Sequence, residues 1–223
     1  MTPDLVIFDC DGVLIDSEVI AAEIEAEALS AVGYAVSADD VIDRFLGRPA
    51  AEAERMVEAA LGHPLPEGFG AAVEAKIIAA YRTRLLPIPG IFDLLGRLNA
   101  PRCVASSSAP TKLFSGLLET GLLDAFYPRI FSTVLVERGK PAPDIFLFAA
   151  AQFGANPAQT VVMEDSPSGV EAGRRAGMTV IGFTGGAHCR PGHAERLRER
   201  GADAIIERLD AFDATLHEFF GAR

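Results

Sequence analysis

Two aspartates separated by one residue, Asp9 and Asp11, directly follow the apolar run Leu5–Phe8 and precede Gly12. A bounded run of four apolar residues is typical of a buried strand, and ligands bind beyond the carboxyl ends of strands in parallel sheets. Two carboxylates this close together repel each other unless a cation compensates their charge. The pattern therefore indicates either a cation-dependent site at a strand end or a plain turn in which the aspartates cap the backbone.

A second acidic pair, Glu164 and Asp165, follows the apolar run at 160–163 and precedes Ser166. If both acidic pairs lie at one edge of a sheet, four carboxylates converge on one point. Carboxylate oxygens suit Mg²⁺, which keeps several waters and takes one or two carboxylates together with substrate phosphate. Asp165 and Ser166 could instead cap the helix that follows, a role that does not exclude metal binding.

Three consecutive serines, Ser106, Ser107 and Ser108, follow another apolar run, and Lys140 precedes a further predicted helix. Hydroxyl groups and free backbone N–H groups at a helix N-terminus can bind phosphate, although most serine runs only cap a loop or a helix. A single lysine is usually a solvated surface residue. Lys140, however, lies among prolines between two predicted strands, and this position favours a role as the cation of a phosphate site.

Six short apolar runs predict the strands that position these side chains. Helical patterns separate most of the runs, so the chain is predicted to form a Rossmann-like parallel α/β sheet with helices on both faces. The predicted strands are residues 5–8, 103–105, 130–136, 160–163, 179–183 and 204–206. A stripe formed by Leu209, Phe212, Leu216 and Phe219 predicts a last helix.

One long segment, residues 17–85, has no strand pattern and is rich in helix-forming residues. It predicts a helical domain inserted after the first strand. The boundaries that follow are 1–16 and 86–223 for the α/β core and 17–85 for the helical insert. Residues 86–90, Leu-Pro-Ile-Pro-Gly, are typical of a stiff linker that returns to the core.

The charge of the chain excludes some classes of partner. The 223 residues carry a formal net charge of −11, which disfavours nucleic acid and anionic membrane surfaces as partners. A small phosphorylated metabolite stays compatible, because one lysine and a metal ion reverse the sign locally. The three cysteines form no CxxC pair, and no secretory signal or membrane span is visible, so we expect a cytoplasmic protein.

The order Asp-x-Asp-Gly, Ser, Lys and Glu-Asp, with each motif at or near a strand end, resembles the haloacid dehalogenase-like hydrolases. The resemblance covers essentially the whole chain, and the helical insert resembles the cap domain of that family. Residues 9–18 and 164–169 are most similar to the branch that contains β-phosphoglucomutase and phosphoglycolate phosphatase. Residues 17–20 and 99–106 are similar to the bacterial 6-phosphogluconate phosphatases.

This resemblance implies a role for each acidic residue of the two pairs. Asp9 would be the nucleophile that forms an aspartyl-phosphate, and Asp11 would be the general acid and base. Mg²⁺ would be bound by Asp9, by the backbone carbonyl of Asp11 and by Asp165, with Glu164 in support. Dehalogenases of the family lack the second aspartate, so Asp11 favours a phosphate ester as substrate.

The resemblance also implies which residues contact the substrate. Lys140 would bind Asp9 and a phosphoryl oxygen, Ser106 would donate to another oxygen, and Ser107 would add its backbone N–H. Ser17 is a further candidate for substrate binding. Arg48, in the helical insert, is either a clamp for a distal phosphate or carboxylate of the substrate or an arginine on the surface.

Two other functions stay open at this point. A phosphohexomutase of the β-phosphoglucomutase type is the main alternative, but its relatives carry a histidine early in the cap, and this sequence has none before His63. A non-catalytic binding protein on the same fold would usually have lost Asp9, Asp11 or Lys140. The favoured interpretation is a Mg²⁺-dependent phosphatase of a sugar phosphate or sugar-acid phosphate.

A group of possible metal ligands, His188, Cys189 and His193, follows the predicted strand 179–183 in a segment that resembles a loop. The residue types suit a soft metal ion. Only three candidate ligands are present, however, whereas a structural zinc site uses four. The sequence alone therefore does not favour a metal ion there.

Overall fold

The structure is a computed structural model that describes residues 2–48 and 50–221. Over these residues, six strands form one sheet in the order β3-β2-β1-β4-β5-β6, and every neighbouring pair is parallel. The strands are β1 (Leu5–Phe8), β2 (Arg102–Ser106), β3 (Ile130–Ser132), β4 (Thr160–Glu164), β5 (Thr179–Phe183) and β6 (Ala204–Ile206). The predicted Rossmann-like α/β fold is confirmed.

Helices connect the strands and form the segment between β1 and β2. The described residues contain α1 (Glu18–Ala31), α2 (Ala38–Phe45), α3 (Ala50–Leu61), α4 (Phe69–Arg84), α5 (Ile91–Arg97), α6 (Pro110–Glu119), α7 (Leu123–Phe126), α8 (Asp144–Phe153), α9 (Pro167–Arg175), α10 (His193–Glu199) and α11 (Phe212–Phe220). None of these helices has the length and the apolar composition that crossing a membrane requires.

Side chains alternate between the two faces of the sheet along the central strands, and this alternation gives one hydrophobic core on each face. In β1, Val6 and Phe8 pack into one core, while Leu5 and Ile7 pack into the other. All four side chains are fully buried. Burial of each such side chain stabilises the fold by about 1.5–3 kcal/mol, so the central strand is firmly held just before the turn that carries Asp9.

The third strand is shorter than the sequence predicts. It ends at Ser132, because Thr133–Leu135 form a 3-10 turn in which the Ser132 side chain accepts a hydrogen bond from the backbone N–H of Val134. Val134 and Leu135 are 65% and 52% exposed. An apolar run at the edge of a sheet can leave the ladder in this way, and periodicity alone does not distinguish the two conformations.

The buried face of the last helix is not the one that the predicted apolar stripe indicates. Leu209 lies in a 3-10 turn, and α11 begins only at Phe212. Phe220 is buried, whereas Phe219 is 42% exposed. The change from three to 3.6 residues per turn shifts the phase of the stripe by about one position.

The helical insert has a small core of its own, made of residues from α1, α2 and α3 such as Leu29, Ile42 and Val57. Other apolar residues of the insert, such as Ile77 and Tyr81 of α4, pack into the main core beside the sheet. The predicted helices are therefore present, whereas the domain boundaries at residues 17 and 85 stay a prediction.

The two chain segments that join the insert to the sheet lie side by side. The backbone N–H of Asp16 donates to the carbonyl of Leu86 at 2.9 Å, and the N–H of Ile88 donates to the carbonyl of Leu14 at 2.9 Å. Ile15 and Pro87 form an isolated antiparallel bridge between these contacts. The entry to the insert therefore begins immediately after the turn that carries Asp9 and Asp11.

Candidate active site

The predicted site residues gather at the carboxyl edge of the sheet. Asp9 follows β1, Ser106 ends β2, and Glu164 ends β4 with Asp165 directly after it. Since β1 lies between β2 and β4 and all three strands are parallel, their last residues meet at one edge. Open α/β sheets bind their ligands at this edge, at the topological switch point where the strand order reverses, which here lies between β1 and β4.

Lys140 lies between two carboxylates of this edge. Its Nζ donates to Asp9 Oδ1 at 2.6 Å, to Glu164 Oε1 at 2.6 Å and to the carbonyl of Ala105 at 3.0 Å. The side chain is only 3% exposed. All three ammonium protons therefore have acceptors, which is the condition for burying a charge without a large loss of stability.

The carboxylates here outnumber the cation that compensates them. Oxygens of Asp9, Glu164 and Asp165 lie within 4.8 Å of one another. Burial raises the pKa of Asp9 well above its usual value, and the charges of Glu164 and Asp165 add to this effect, while Lys140 opposes it. An oxygen-only donor set with excess negative charge fits a hard divalent cation such as Mg²⁺.

Both oxygens of Glu164 are already engaged by the protein. Oε1 accepts the bond from Lys140, and Oε2 accepts from the backbone N–H and the hydroxyl of Ser166, both at 2.9 Å. The Ser166 hydroxyl in turn accepts from the N–H of Gly169 and caps α9. The helix cap therefore holds Glu164, and Glu164 is placed to orient Lys140.

Gly169 packs directly against the Glu164 carboxylate, and we predict that Gly169→Ala displaces this carboxylate from Lys140. A Cβ at position 169 would lie 1.7 Å from Oε1 of Glu164, a fully buried side chain. Glu164 would have to leave its contact with Lys140, so we expect a destabilisation of about 1–3 kcal/mol, measured by denaturant unfolding. Gly96→Ala is the control, since no atom lies within 4 Å of that Cβ in α5. There we expect a gain of about 0.5–1 kcal/mol, and equal effects at the two positions would contradict the assigned contact.

Asp11 is held as an anion by three side chains. Ser17 Oγ donates to Oδ1 at 2.5 Å, Ser108 Oγ donates to Oδ2 at 2.6 Å, and Lys112 Nζ lies 3.4 Å from Oδ1. Burial by itself raises the pKa of Asp11, but Lys112 and the two hydroxyl groups outweigh it and lower the pKa below its usual value.

None of these three partners was assigned this role from the sequence, where Ser17 was a candidate for substrate binding. Ser108 belongs to the predicted serine run, whereas Lys112 was not predicted at all. Lys112 lies in the first turn of α6, the helix that follows β2. The helix after a parallel strand begins at the carboxyl edge of the sheet, and this position is the signal that would have placed the ammonium group near the strand ends.

The other predicted substrate residues occupy different positions. Ser17 is fully buried against Asp11, Ser107 is exposed beside Thr133, and Ser106 accepts a hydrogen bond from the N–H of Ser108. Arg48 is exposed, where it donates to the carbonyl of Arg44 and to Glu52 at 2.6 Å. Their roles in substrate binding stay predictions.

The tip of the helical insert reaches the carboxyl edge of the sheet. The carbonyl of Gly47 accepts a hydrogen bond from Ser168 Oγ at 3.1 Å, and Ser168 lies in the first turn of α9. Gly47 is followed by Arg48. The candidate clamp is therefore adjacent in sequence to a residue that contacts the helix next to Asp165.

Asp165 has two histidine partners that were not predicted to belong to this site. His188 Nε2 lies 3.0 Å from Asp165 Oδ2, and His193 Nε2 lies 2.6 Å from the backbone carbonyl of Asp165. Burial lowers the pKa of His188, but the contacts with Asp165 and Cys189 outweigh it and raise the pKa to about 11. Gly12, with a φ of +76°, approaches so closely that a Cβ there would lie 2.0 Å from Asp165 Oδ2 and 2.7 Å from the His188 ring.

Comparison with known proteins identifies relatives along most of the chain. The family model of haloacid dehalogenase-like hydrolases matches residues 3–177. A 6-phosphogluconate phosphatase of Escherichia coli (strain K12) is 30% identical over 189 residues, which are 84% of this chain and 86% of the relative. A validoxylamine A 7'-phosphate phosphatase of Streptomyces hygroscopicus subsp. limoneus is 32% identical over 207 residues, which are 91% and 92% of the two chains.

Solved structures share the same fold. A conserved haloacid dehalogenase-like protein of unknown function from Agrobacterium tumefaciens str. C58 has a TM-score of 0.87 and 40% identity, over 96% of this chain and 98% of that one. A putative beta-phosphoglucomutase from Thermotoga maritima has a TM-score of 0.74 and 27% identity, over 96% and 99% of the two chains. The branch that the motifs predicted is confirmed.

Proposed function

This chain belongs to the haloacid dehalogenase-like hydrolase family and is a phosphatase, and we propose that it hydrolyses a sugar phosphate or sugar-acid phosphate by a Mg²⁺-dependent aspartyl-phosphate mechanism. The observation that carries the proposal is the buried contact of Lys140 with both Asp9 and Glu164 at the carboxyl edge of the sheet. This arrangement places a fixed cation beside a carboxylate that has excess negative charge around it.

Asp9 is the proposed nucleophile. One of its carboxylate oxygens attacks phosphorus, and the bond between phosphorus and the ester oxygen of the substrate breaks. Lys140 fixes the Asp9 carboxylate and neutralises part of the charge on the phosphoryl oxygens. Mg²⁺, held by Asp9, Asp165 and the backbone carbonyl of Asp11, would neutralise further charge when bound.

Asp11 is the proposed general acid and base. It gives its proton to the leaving alcohol in the first step. It then takes a proton from the water that attacks the phosphorus of the aspartyl-phosphate, and the bond to Asp9 breaks to release inorganic phosphate. Its contacts with Ser17, Ser108 and Lys112 hold it as an anion in this structure, so it must exchange some of them before it can act as an acid.

The helical insert offers a way to make that exchange. Ser17 lies immediately before α1, at the point where the chain enters the insert. A movement of the insert therefore also moves the hydroxyl that binds Asp11. We infer that closure of the insert over the substrate both excludes water and frees Asp11 for proton transfer.

A phosphatase is favoured over a mutase by the first helix of the insert. α1 contains no histidine, whereas the resemblance to mutases of this branch would require one early in the cap. A mutase must transfer the phosphoryl group back to a sugar and not to water. This chain has no such residue at the entry to the insert, and hydrolysis is the simpler outcome.

The substrate class is tested by measuring phosphate release from a panel of phosphorylated metabolites. The panel contains 6-phosphogluconate, hexose phosphates, glycerol phosphate, phosphoglycolate and nucleotides, each with Mg²⁺ and with EDTA. We expect Mg²⁺-dependent release from one or a few sugar or sugar-acid phosphates. Conversion of a hexose 1-phosphate to its 6-phosphate with a bisphosphate primer, without release, would instead establish the mutase, and nucleotides as best substrates would contradict the proposed class.

Arg48→Ala tests the predicted substrate clamp. A charged hydrogen bond contributes about 1.5–3 kcal/mol, so we expect the KM of the best substrate to rise by about 10- to 100-fold while kcat changes less. The present pair with Glu52 is exposed and weak, so Arg48 can leave it at little cost. Arg55→Ala, also exposed on α3, is the control. Unchanged kinetics for Arg48→Ala would mean that this arginine is a surface residue with no role in substrate binding.

A further inference from the structure

Beside the proposed catalytic centre lies a second cluster of metal-ligating side chains, formed by His188, Cys189 and His193. One ligand atom from each of the three lies within 4.8 Å of the other two. Cys189 Sγ is 3.5 Å from His188 Nε2, and the rings of His188 and His193 meet edge to face with their centroids 5.6 Å apart. The loop after β5 and the start of α10 bring these residues together.

Asp165 lies against this cluster and offers a further carboxylate oxygen. Its Oδ2 lies 3.0 Å from His188 Nε2, on the same ring nitrogen that faces Cys189. In a tetrahedral zinc site, the bond lengths imply separations of about 3.6 Å between sulfur and nitrogen and about 3.4 Å between nitrogen and oxygen. The two observed distances, both measured to His188 Nε2, are within about 0.4 Å of these values, so Cys189, His188 and Asp165 are spaced as neighbouring ligands of one ion would be.

The surroundings of the two histidines fix their orientation. His193 Nε2 lies 2.6 Å from the carbonyl of Asp165, the kind of contact that orients ligating histidines in metal sites. Its Nδ1 contacts the exposed Arg196 at 3.0 Å, and that side chain can turn into solvent. His188 is packed against Gly12 and Gly186, where a Cβ would lie 2.7 and 2.8 Å from its ring.

Cys189 has the properties of a ligand that an ion can reach. Its side chain is partly exposed, whereas both histidines are buried, so the cluster is open to solvent on the sulfur side.

We propose that His188, Cys189, His193 and Asp165 form a second metal site, for a borderline-soft divalent cation of the Zn²⁺ class. The nitrogen and sulfur donors separate this site from the oxygen-only set of Asp9, Glu164 and Asp165, which suits Mg²⁺. Asp165 belongs to both sets. Occupation of the second site by Zn²⁺ therefore draws Asp165 away from the Mg²⁺ position.

Cobalt spectroscopy tests the site without any measurement of activity. Co²⁺ is titrated into the metal-free full chain. Only Co²⁺ bound through Cys189 gives a sulfur band, so Co²⁺ in the oxygen-only site does not interfere. We expect a thiolate-to-cobalt absorption band with tetrahedral visible bands, and we expect Zn²⁺ to remove them, because Zn²⁺ binds such ligands more tightly than Co²⁺.

Two variants assign the bands. Cys189→Ser is expected to abolish the sulfur band, and His193→Gln is expected to weaken Co²⁺ binding by at least about 100-fold, since loss of even a supporting contact costs about 10- to 100-fold. His63→Gln, at an exposed histidine outside the cluster, is the control and should bind Co²⁺ like the wild type. Absence of a sulfur band in the wild type, or its persistence in Cys189→Ser, would overturn the proposed site.

The competition for Asp165 is tested separately and rests on the proposed function. With an active substrate from the panel, we expect sub-stoichiometric to equimolar Zn²⁺ to raise the Mg²⁺ concentration needed for half-maximal rate in the wild type and to do so far less in Cys189→Ser. Equal inhibition of both proteins would refute the shared use of Asp165. If no substrate is found, the cobalt titration still decides whether the site exists.

Discussion

Asp9→Asn is expected to abolish phosphate release. An amide is not a nucleophile toward phosphorus, and removal of a nucleophile in other hydrolases lowers turnover by several orders of magnitude, so we expect a loss on the order of 10⁴-fold or more in kcat. The measurement is phosphate release on the best substrate at saturating Mg²⁺. Asp93→Asn, an exposed change in α5, is the control and should retain full activity.

The same variant is expected to keep its fold, which separates a catalytic loss from a structural one. Asp9 is buried beside Glu164 and Asp165, and its pKa is raised. The folded state therefore releases this proton less readily than the unfolded state, and metal-free wild type loses stability as the pH rises from about 4 through the raised pKa. Asp9→Asn lacks this loss, so its Tm in EDTA at neutral pH should equal or exceed that of the wild type. Residual turnover in a folded Asp9→Asn would remove Asp9 as the nucleophile.

Lys140→Met is expected to cause the largest loss of stability. It leaves Asp9 and Glu164 buried without the cation that accounts for their 2.6 Å contacts. Removal of one partner of a buried ion pair costs about 3–5 kcal/mol, measured as the free energy of unfolding in EDTA. Lys76→Met, at an exposed lysine of α4, is the control and should change stability by less than about 0.5 kcal/mol.

A double variant shows whether that loss comes from the carboxylates. If it does, Asp9→Asn combined with Lys140→Met should be more stable than Lys140→Met alone, because the change at Asp9 removes one uncompensated charge. Added Mg²⁺ should also raise the Tm of Lys140→Met, since a ligand that binds only the folded state stabilises it. Strictly additive effects would mean that Lys140 stabilises the fold through its packing and not through its charge.

The sequence predicts the scaffold of this site well, because the signals are local. The strand Leu5–Phe8 and the helix that Ser166 caps have the expected bounds or nearly so. A buried strand needs only a short apolar run, and a helix start needs only a capping residue and a proline. Parallel order then brings the strand ends to one edge. Thus the convergence of Asp9, Lys140 and Glu164 could be predicted from motif order before any distance was known.

Local sequence patterns do not predict where the elements at the edges of the sheet begin and end. The run at 130–136 is apolar apart from Ser132 and Thr133, yet only its first three residues join the ladder. The decision depends on whether a neighbouring strand is present to accept more hydrogen bonds, and no property of the run itself encodes that. The predicted apolar stripe of the last helix was wrong for a similar reason, because the 3-10 turn at Leu209 changes the number of residues per turn.

By itself, the sequence determined the fold class, the family and the four carboxylates with their lysine, since these depend on residue types at strand ends. Only the tertiary structure decided which groups surround each carboxylate. Lys112 reaches Asp11 from α6, Ser17 reaches it from the residue before α1, and His188 reaches Asp165 from a loop after another strand. Lys112 and His188 are distant in sequence from these aspartates and share no common spacing with them, so their contacts arise only when the helices and loops pack against the sheet.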